Sequence, residues 1–395
     1  MLYIGVVVDN DFDNDYRVQK EIRLLQQYGH VVFVLCFDYG RNYKIDYEDI
    51  IIHRIRISKS MRDMMSFVQS TISLYDLFWS KHITEFVKTH SIEVLHVHDL
   101  YMSKAAHLAI RNTQDLDVKL TLDLHENYPE AVKTYRWAVK GIRRWLANPS
   151  FWKKKEPKYL GYADNIIVLS ESYRKDLIQE YPFLKDKNMV VHPNIPDLHT
   201  LESFKNNKLE VNYQSDLPTL FYFGVVAQRR GILDVLPWIV ELVREGLAFN
   251  ILIIGPVDKA DKEDFKYLLH KRELISCAHY LPWVDLEYLP AYLKKVDIGL
   301  APFRVNKQHD SGVANKIYQY MFGRIPVLAT PCKAQKELIE ASECGLIYNN
   351  KEDFKRHLTQ LVKEAQLRKT LGDNGLKALQ ELLIKEVHKD FLSIY

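Results

Sequence analysis

The sequence holds only four cysteines in 395 residues: Cys36, Cys277, Cys332 and Cys344. None belongs to a Cys-x-x-Cys pair and no histidine cluster lies near them. A disulfide scaffold and a structural zinc site are therefore both poor readings, and a reducing cytoplasm fits best. Excess charge of either sign is also lacking: 54 Lys and Arg face 51 Asp and Glu, a net +3. A nucleic-acid binder of this size is expected to be more basic, so no nucleic-acid partner is expected and any basic surface must be local. No uncharged apolar run reaches the roughly 20 residues that span a bilayer. Ser66 to Tyr75 and Leu247 to Val257 come nearest, and both are of core length. Met1 to Val8 is apolar but meets Asp9 at once and has no basic leader, so it does not read as a signal peptide. The segment after it, Asp9-Asn10-Asp11-Phe12-Asp13-Asn14-Asp15, has no Gly-x-Gly-x-x-Gly. Without those glycines a backbone cannot approach a pyrophosphate closely, which argues against a dinucleotide-binding turn there.

What is present is an ordinary globular balance, 47% apolar and 27% charged. The length suits two domains. Tyr3 to Val8 reads as a buried strand, Val18 to Tyr28 as a helix ended by Gly29, and Val31 to Phe37 as the next strand. Ile92 to Val97, a helix over Ser103 to Arg111, Leu120 to Leu124 and Asn165 to Leu169 continue the alternation. The rhythm breaks at His192-Pro193-Asn194-Ile195-Pro196 and the polar stretch Asn206 to Asp216, which read as a linker. It restarts at Leu220 to Phe223 and runs through Ile232 to Arg244, Phe249 to Ile254, Tyr288 to Lys294, Ile298 to Pro302, Asn315 to Phe322 and Pro326 to Ala329. Strands alternating with helices predict an α/β protein of two Rossmann-like domains, each with a parallel sheet covered on both faces. Residues 1–198 make the first and 199–377 the second, with a C-terminal helix at about 378–395 expected to pack back on the first. Open α/β sheets bind ligands beyond the carboxyl ends of their strands, and two such domains facing a cleft would place those ends there.

The strand ends therefore supply the candidates. Asp15 belongs to a carboxylate-rich loop that is either a solvated turn or a contact for acceptor hydroxyls. His96-Val97-His98-Asp99 ends a strand, with His96 and His98 on one side of it. Two histidines and an aspartate open the possibility of metal, but spacing supplies no third ligand, so no metal is expected and His98 is read as a hydrogen-bonding group toward substrate. Glu126, after Leu122 to His125, is either a ligand-facing carboxylate or a helix N-terminal residue. In the second half Gly224 follows a strand directly, and Arg229 and Arg230 follow it with guanidinium forks that match phosphate oxygens. Asp310-Ser311-Gly312-Val313-Ala314-Asn315-Lys316 runs into a helix terminated by Gly323. Small residues there leave backbone N–H groups open, and with the helix dipole they form an anion site. Lys316 in the first turn conflicts with the dipole, a conflict that an anionic ligand removes. Gln319 follows one turn later, within reach of a ribose.

Taken together these segments resemble the retaining glycosyltransferases of family 4, whose fold is called GT-B. The resemblance runs over nearly the whole chain. It is carried by Asp15-Tyr16-Arg17-Val18 to Gly29-His30, His96 to Asp99, Ala163 to Ser170, Val191 to Asn194, Gly224 to Gly231, Val296 to Pro302 and Gly323 to Thr330. It implies a same-face displacement that moves a sugar from a nucleoside diphosphate to a glycan or lipid-linked acceptor, with no cofactor and no metal. The departing diphosphate would be stabilised by Arg230, Lys316 and helix N–H groups. It implies His98, Asp310 and Arg230 as catalytic residues. Gly224, Arg229, Trp283, Ser311, Ala314, Asn315, Lys316, Gln319, Asp15 and Glu126 are implied in substrate binding. The family's Glu-x7-Glu falls here on Ser311 and Gln319, so Asp310 or His309 is expected to stand in for the first glutamate. Arg and Lys of the family's phosphate loop fall on Val225 and Arg230, and Lys316 is expected to replace the missing cation. Two other functions remain open: a nucleotide-sugar epimerase relying on carboxylates such as Glu126, and a binding protein that has lost catalysis. Finally, Lys133 to Lys158 interleaves nine cations with Trp137, Trp145, Phe151 and Trp152. It reads either as a solvated helix with its aromatics inward or as a contact for an anionic membrane surface, which would make the protein peripheral on the inner face.

Overall fold

The computed structural model describes residues 1–40, 47, 49–69, 71–134, 149–196, 201–202, 216–384 and 387–395. The chain forms two compact units, Met1–Pro193 with Glu386–Tyr395, and Asn194–Lys385. In the first, the order is β1 (Tyr3–Val8), α1 (Tyr16–Gln27), β2 (Val31–Asp38), β3 (Ile51–Arg56), α2 (Lys59–Val68), α3 (Leu74–His90), β4 (Val94–His98), α4 (Ser103–Arg111), β5 (Lys119–Asp123), α5 (Tyr128–Thr134), α6 (Pro149–Tyr162), β6 (Asn165–Val168), α7 (Glu171–Glu180) and β7 (Asn188–Val191). The seven strands pair in parallel in the order β3-β2-β1-β4-β5-β6-β7. β1 and β2 are apolar runs because both faces of the sheet are covered, and only their end residues reach solvent. Gly5 lets α3 press against the sheet: a Cβ there would lie 2.8 Å from the Phe86 ring.

The second unit runs β8 (Thr219–Phe223), α8 (Ile232–Arg244), β9 (Asn250–Ile254), α9 (Lys262–Leu269), α10 (Arg272–Ile275), β10 (Ala278–Leu281), α11 (Leu289–Leu293), β11 (Ile298–Ala301), α12 (Lys307–Asp310), α13 (Asn315–Phe322), β12 (Val327–Ala329), α14 (Lys333–Ser342), β13 (Gly345–Ile347), α15 (Lys351–Lys363) and α16 (Ala365–Ile384). Its six parallel strands are ordered β10-β9-β8-β11-β12-β13. α8 follows the helical period with Ile232, Val235, Leu236, Ile239 and Val240 buried against the sheet. The last helix, α17 (Val387–Leu392), lies with the first unit beside β7, where Phe391 stacks on His192 at 4.4 Å. Residues 378–384 instead continue α16 in the second unit, alongside α13.

Several elements differ from expectation for physical reasons. The region between β2 and β4 carries β3, α2 and α3, which apolar periodicity does not announce. β3 is an edge strand and α2 has no buried residue, so neither shows a clean apolar face. α13 does end at Gly323, but Gly323 has φ −74°, and the left-handed residue is Arg324 at φ +56°. Packing leaves little room beside Gly323, since a Cβ there would lie 3.0 Å from both Ile325 and Leu293. Of the expected linker, residues 206–215 lie outside the described residues. No described helix is long and apolar enough to cross a membrane.

Candidate functional site

In each unit the strand order reverses at one point, between β1 and β4 in the first and between β8 and β11 in the second. The loops at such a point diverge to opposite faces and leave room beyond the carboxyl ends. The candidate residues gather at these two places.

In the first unit a cavity of about 720 Å³ is lined by Asp9, Asp11, Asp15, Lys59, Arg62, His98, Asp99, Tyr101 and His125, among others. The carboxylate loop is not a solvated turn, because most of its carboxylates are buried and engaged. Asp9 accepts from Tyr75 Oη at 2.9 Å, Tyr101 Oη at 2.8 Å and Arg62 at 3.1 Å. Asp13 holds the Arg54 fork at 2.8 and 3.0 Å. Asp15 lines the cavity and also accepts from Val18 N–H, capping α1. Glu126 lies between β5 and α5, separated from the helix by Asn127.

Beneath the cavity lies a buried charge network that spacing along the chain could not reveal. Arg17 on α1 donates one nitrogen to both oxygens of Asp123, at 2.7 and 2.9 Å, and its Nε to Glu21 at 3.0 Å. The Asp123 carboxylate has no exposure, and its Oδ2 lies 3.8, 3.7 and 3.6 Å from nitrogens of His96, His98 and His125. Glu21, His96, His98 and Asp123 bring one ligand atom each within 4.8 Å of one another, so third and fourth partners for the two histidines do exist. Arg17 already sits on both carboxylates, and His125 adds to it at Asp123. Tyr395 Oη lies 2.5 Å from His96 Nδ1, and the His96 and His98 rings stack at 4.6 Å.

The network fixes the tautomer of His98. Burial opposes protonation of His125, as does Arg17, but Asp123 outweighs both and pushes His125 up to about 9. His125 is therefore charged at neutral pH and donates Nε2–H to His98 Nδ1 at 2.7 Å. Burial, with His96 and His125, holds His98 well below its ordinary value, so His98 is neutral. Its Nε2 then carries the hydrogen, is buried, and has no protein partner. It is a donor waiting for an oxygen. The expectation for His125 is a histidine Hε1 titration by NMR with a midpoint near 9. The stability it contributes is complete below the ordinary 6.5 and is lost as pH rises through about 9. A midpoint at or below 6.5 would show that Asp123 does not act on it.

Asp99, next along, was legible as a strand-end residue but not as a strained one. Its φ of +71° with ψ +143° is a conformation that side chains avoid. A hydrogen bond from its N–H to Asp123 O at 2.7 Å holds it there. Burial pushes its carboxyl up to about 7, with the nearby carboxylates adding and His125 opposing. Strain and a perturbed acid at one cavity wall are the usual marks of a working site.

In the second unit the site is built around Gly224. Tyr320 on α13 donates to Leu300 O at 3.2 Å and accepts from Phe223 N–H at 3.2 Å. Its ring occupies the space that any side chain at Gly299 would need, 2.3 Å away. α13 is thereby fixed over β8 and β11, and Lys316, one turn earlier, is laid against Gly224. Gly224 has φ +130°, and a Cβ there would lie 3.5 Å from Lys316 Nζ. Gly255, at φ +144°, has no room for a Cβ, which would fall 2.1 Å from Gly224 O. Gly231, at φ +75°, would put a Cβ 1.5 Å from Pro302 O. The loop from 224 to 231 thus requires glycine at both ends.

Lys316 Nζ is buried, 3.6 Å from the centre of the Tyr222 ring, and makes no hydrogen bond. Burial, with Arg230 adding, holds its amine well below the ordinary value. Arg230 reaches over the Phe303 ring at 5.3 Å, while Arg229 lies 3.8 Å from Asp258. Ala314 precedes α13 and offers no side-chain cap; Ile317 N–H turns back to Ala314 O at 2.9 Å, which leaves the N–H groups of Asn315 and Lys316 open. Asn315 is exposed and Gln319 is buried one turn on. Ser311 is buried and donates to Gln308 O at 2.7 Å. Asp310 accepts from Lys333 N–H at 2.8 Å, capping α14. His309 stands nearer to a ligand-binding group: burial pushes it down to about 4, its Nδ1 lies 2.7 Å from Arg304 O, and its Nε2 is buried with no partner. Trp283, after β10, is 68% exposed and donates to Asp285.

Of the basic aromatic stretch, residues 135–148 lie outside the described residues. In the remainder Trp152 is buried in the core, and Lys153 pairs with Glu156 at 2.6 Å and Glu180 at 2.7 Å.

Comparison with known proteins bears on both units. The family model described as Glycosyltransferase Family 4 matches residues 17–199, and that described as Glycosyl transferases group 1 matches residues 217–364. The chain is 23% identical over 236 residues to the capsular polysaccharide biosynthesis glycosyltransferase CapM of Staphylococcus aureus, covering 57% of this chain and 59% of that one. It is 23% identical over 345 residues to an uncharacterized glycosyltransferase of Methanocaldococcus jannaschii, covering 87% and 83%. A second such protein of that organism is matched over 54% of its length, so the chain spans little more than half of two of these relatives. Among solved structures, a sucrose-phosphate synthase from Thermosynechococcus elongatus superposes with a TM-score of 0.73 at 15% identity, covering 100% and 98% of the two chains. Trehalose-6-phosphate from E. coli bound with UDP-2-fluoro glucose gives 0.72 at 12%, covering 99% and 98%. At such identity the likeness concerns the fold.

Proposed function

Because the chain belongs to glycosyltransferase family 4 and has the GT-B fold, we propose that it is a retaining, metal-independent transferase that moves a sugar from a nucleoside diphosphate to a glycan or lipid-linked acceptor. The observation that carries this reading is the buried, unpartnered amine of Lys316 beside Gly224 and Arg230. A diphosphate at the start of α13 would supply what that amine lacks. Gly224 admits its oxygens to the backbone, the N–H groups of Asn315 and Lys316 at the start of α13 donate to them, and Arg230 and Lys316 meet their charge. Those two cations and the helix dipole supply the positive field that a metal would otherwise give.

In the reaction, the bond from the anomeric carbon to the diphosphate oxygen breaks and a bond from the acceptor oxygen forms on the same face. The acceptor proton passes to the departing diphosphate. Charge develops on the diphosphate, so Lys316 and Arg230 act more strongly in the transition state than before it. His309, neutral and with a free Nε2 lone pair, accepts from a donor-sugar hydroxyl in place of a glutamate, because Asp310 is engaged at α14. Gln319 contacts the ribose and Trp283 the base. The first-unit cavity takes the acceptor, with His98 Nε2–H donating to one of its oxygens, and Asp15, Glu126 and Asp99 available to its hydroxyls.

A thermal-shift screen with UDP, GDP, CMP and dTDP tests the donor half. One nucleotide should raise the melting point by mass action and lose that effect in Arg230→Ala. The same substitution should lower turnover on the order of a hundredfold or more. A protein that no nucleotide stabilises would turn the reading toward a binding protein that has lost its donor site.

A further inference from the structure

α9 begins at an aspartate that does not cap it. Asp261 stands at the N-terminal boundary of the helix, where an aspartate side chain ordinarily accepts from the second or third N–H group of its own helix. Here it makes no such bond. Glu263 and Asp264 in the first turn are left to complement the helix dipole. The Asp261 carboxylate is turned instead to the loop after β8, where its Oδ2 accepts from Gln228 N–H at 2.9 Å. Asp261 is only 2% exposed, so the bonds it makes, rather than water, decide where it points.

Gln228 opens the single 3-10 turn Gln228–Arg230. The residue before it, Ala227, has no side-chain oxygen with which to cap that turn. Asp261 supplies from another loop the cap that Ala227 lacks. The turn is closed by Arg230 N–H to Ala227 O at 2.9 Å and by Gly231 N–H to Gln228 O at 3.0 Å. The two loops are also joined along their backbones: Val226 N–H donates to Pro256 O at 2.8 Å and Asp258 N–H to Val226 O at 2.9 Å. The end of this fixed turn carries Arg230, whose guanidinium lies 5.3 Å from the centre of the Phe303 ring, with Lys316 Nζ 5.1 Å from the same centre. By charge, a buried carboxylate in this place opposes an anionic ligand. By its hydrogen bond, it fixes the turn that presents Arg230. The two effects are separable, because asparagine keeps the accepting oxygen and lacks the charge.

We infer that Asp261 is a positioning residue, which caps the turn Gln228–Arg230 from the neighbouring loop and thereby aims Arg230. It acts through that arginine: a turn ordered in advance spares the ligand the cost of ordering it. That Arg230 is aimed at a diphosphate rests on the proposed function, whereas the capping of the turn does not.

Two variants of the whole chain test this. Asp261→Ser gives α9 a side chain that caps it, so the fold is kept, but the hydroxyl ends one bond short of Gln228. Asp261→Asn keeps an accepting oxygen at the original reach. Hydrogen exchange in the free protein, read by mass spectrometry over residues 224–231, should be about tenfold faster in Asp261→Ser and close to wild type in Asp261→Asn. Calorimetry then measures the affinity for whichever of UDP, GDP, CMP and dTDP stabilises the wild type. It should fall about tenfold in Asp261→Ser, and in Asp261→Asn it should equal or exceed that of wild type, because the opposing charge is gone. A merely structural carboxylate would not show this rescue. Exchange over 224–231 that is the same in Asp261→Ser as in wild type would overturn the inference. So would a loss of affinity in Asp261→Asn as large as in Asp261→Ser, which would assign the effect to charge and not to the hydrogen bond. If no nucleotide binds the wild type, the proposed function fails, and the exchange rates alone still decide whether Asp261 holds the turn.

Discussion

Replacing Lys316 with methionine should make the free protein more stable while abolishing its use of a nucleoside diphosphate. The amine is buried without a hydrogen bond, which costs about 1–3 kcal/mol. The nearby Tyr222 ring offsets part of that cost when the amine is charged. Methionine keeps the stem and a favourable sulfur contact with the ring, and it removes the unsatisfied group. The second unit should therefore melt a few degrees higher. Turnover should fall on the order of a hundredfold or more, because the charge that meets the departing diphosphate is gone. The pH dependence carries a distinct signature. Lys316 has a folded value below its ordinary 10.5, so its penalty is absent above 10.5 and grows as pH falls toward the folded value. A bound diphosphate raises that value again, and so binding takes up a proton in this window and tightens as pH falls. Calorimetry in two buffers of different ionisation enthalpy measures the uptake, which should vanish in the variant. A variant that binds the nucleotide as tightly as wild type, with the same uptake, would refute the assignment.

That residue shows how far the sequence could be read. The apolar pattern gave β1, α4, α8 and α13 nearly to the residue, because β1 is apolar throughout, α4 and α8 each have one apolar face, and all four meet a sharp polar or glycine boundary. The family resemblance marked Gly224 and Gly231, whose φ of +130° and +75° side chains rarely adopt. Lys316 was legible as a cation in conflict with its own helix, but not as a buried one, since burial depends on Tyr222 of β8 and Phe303 in the loop after β11. Asp310 looked like the natural substitute for a missing glutamate. Only the position of α14 shows its carboxylate engaged there, with His309 left as the group whose nitrogen has no partner. The buried network is the extreme case. Its members come from positions 17, 21, 96, 98, 123, 125 and 395, and nothing in the chain order brings them together.

The same network carries the largest expected loss of stability. Arg17→Met should destabilise the first unit by about 3–5 kcal/mol at neutral pH, the usual consequence of stranding a buried charge. Two carboxylates with almost no exposure, Asp123 and Glu21, share this one guanidinium. Desolvation alone would push Asp123 up, and Arg17, ahead of His125, reverses that and holds it well below its ordinary value. The stability Asp123 contributes in the wild type is therefore present above about 3.8 and lost as pH falls toward the folded value. Without Arg17 both carboxylates prefer to be protonated, so the variant should regain stability as pH falls. The two urea-unfolding curves should then converge on acidification, whereas a packing defect would separate them by a constant amount. Turnover should fall as well, for a reason that reaches the cavity. Asp123 O holds the strained Asp99 N–H, and the Asp123 carboxylate keeps His125 charged against His98. Loss of that charge frees His98 to take the other tautomer, and its Nε2 would cease to be a donor. A variant as stable as wild type across the pH range would mean that the histidines, not Arg17, balance the carboxylates.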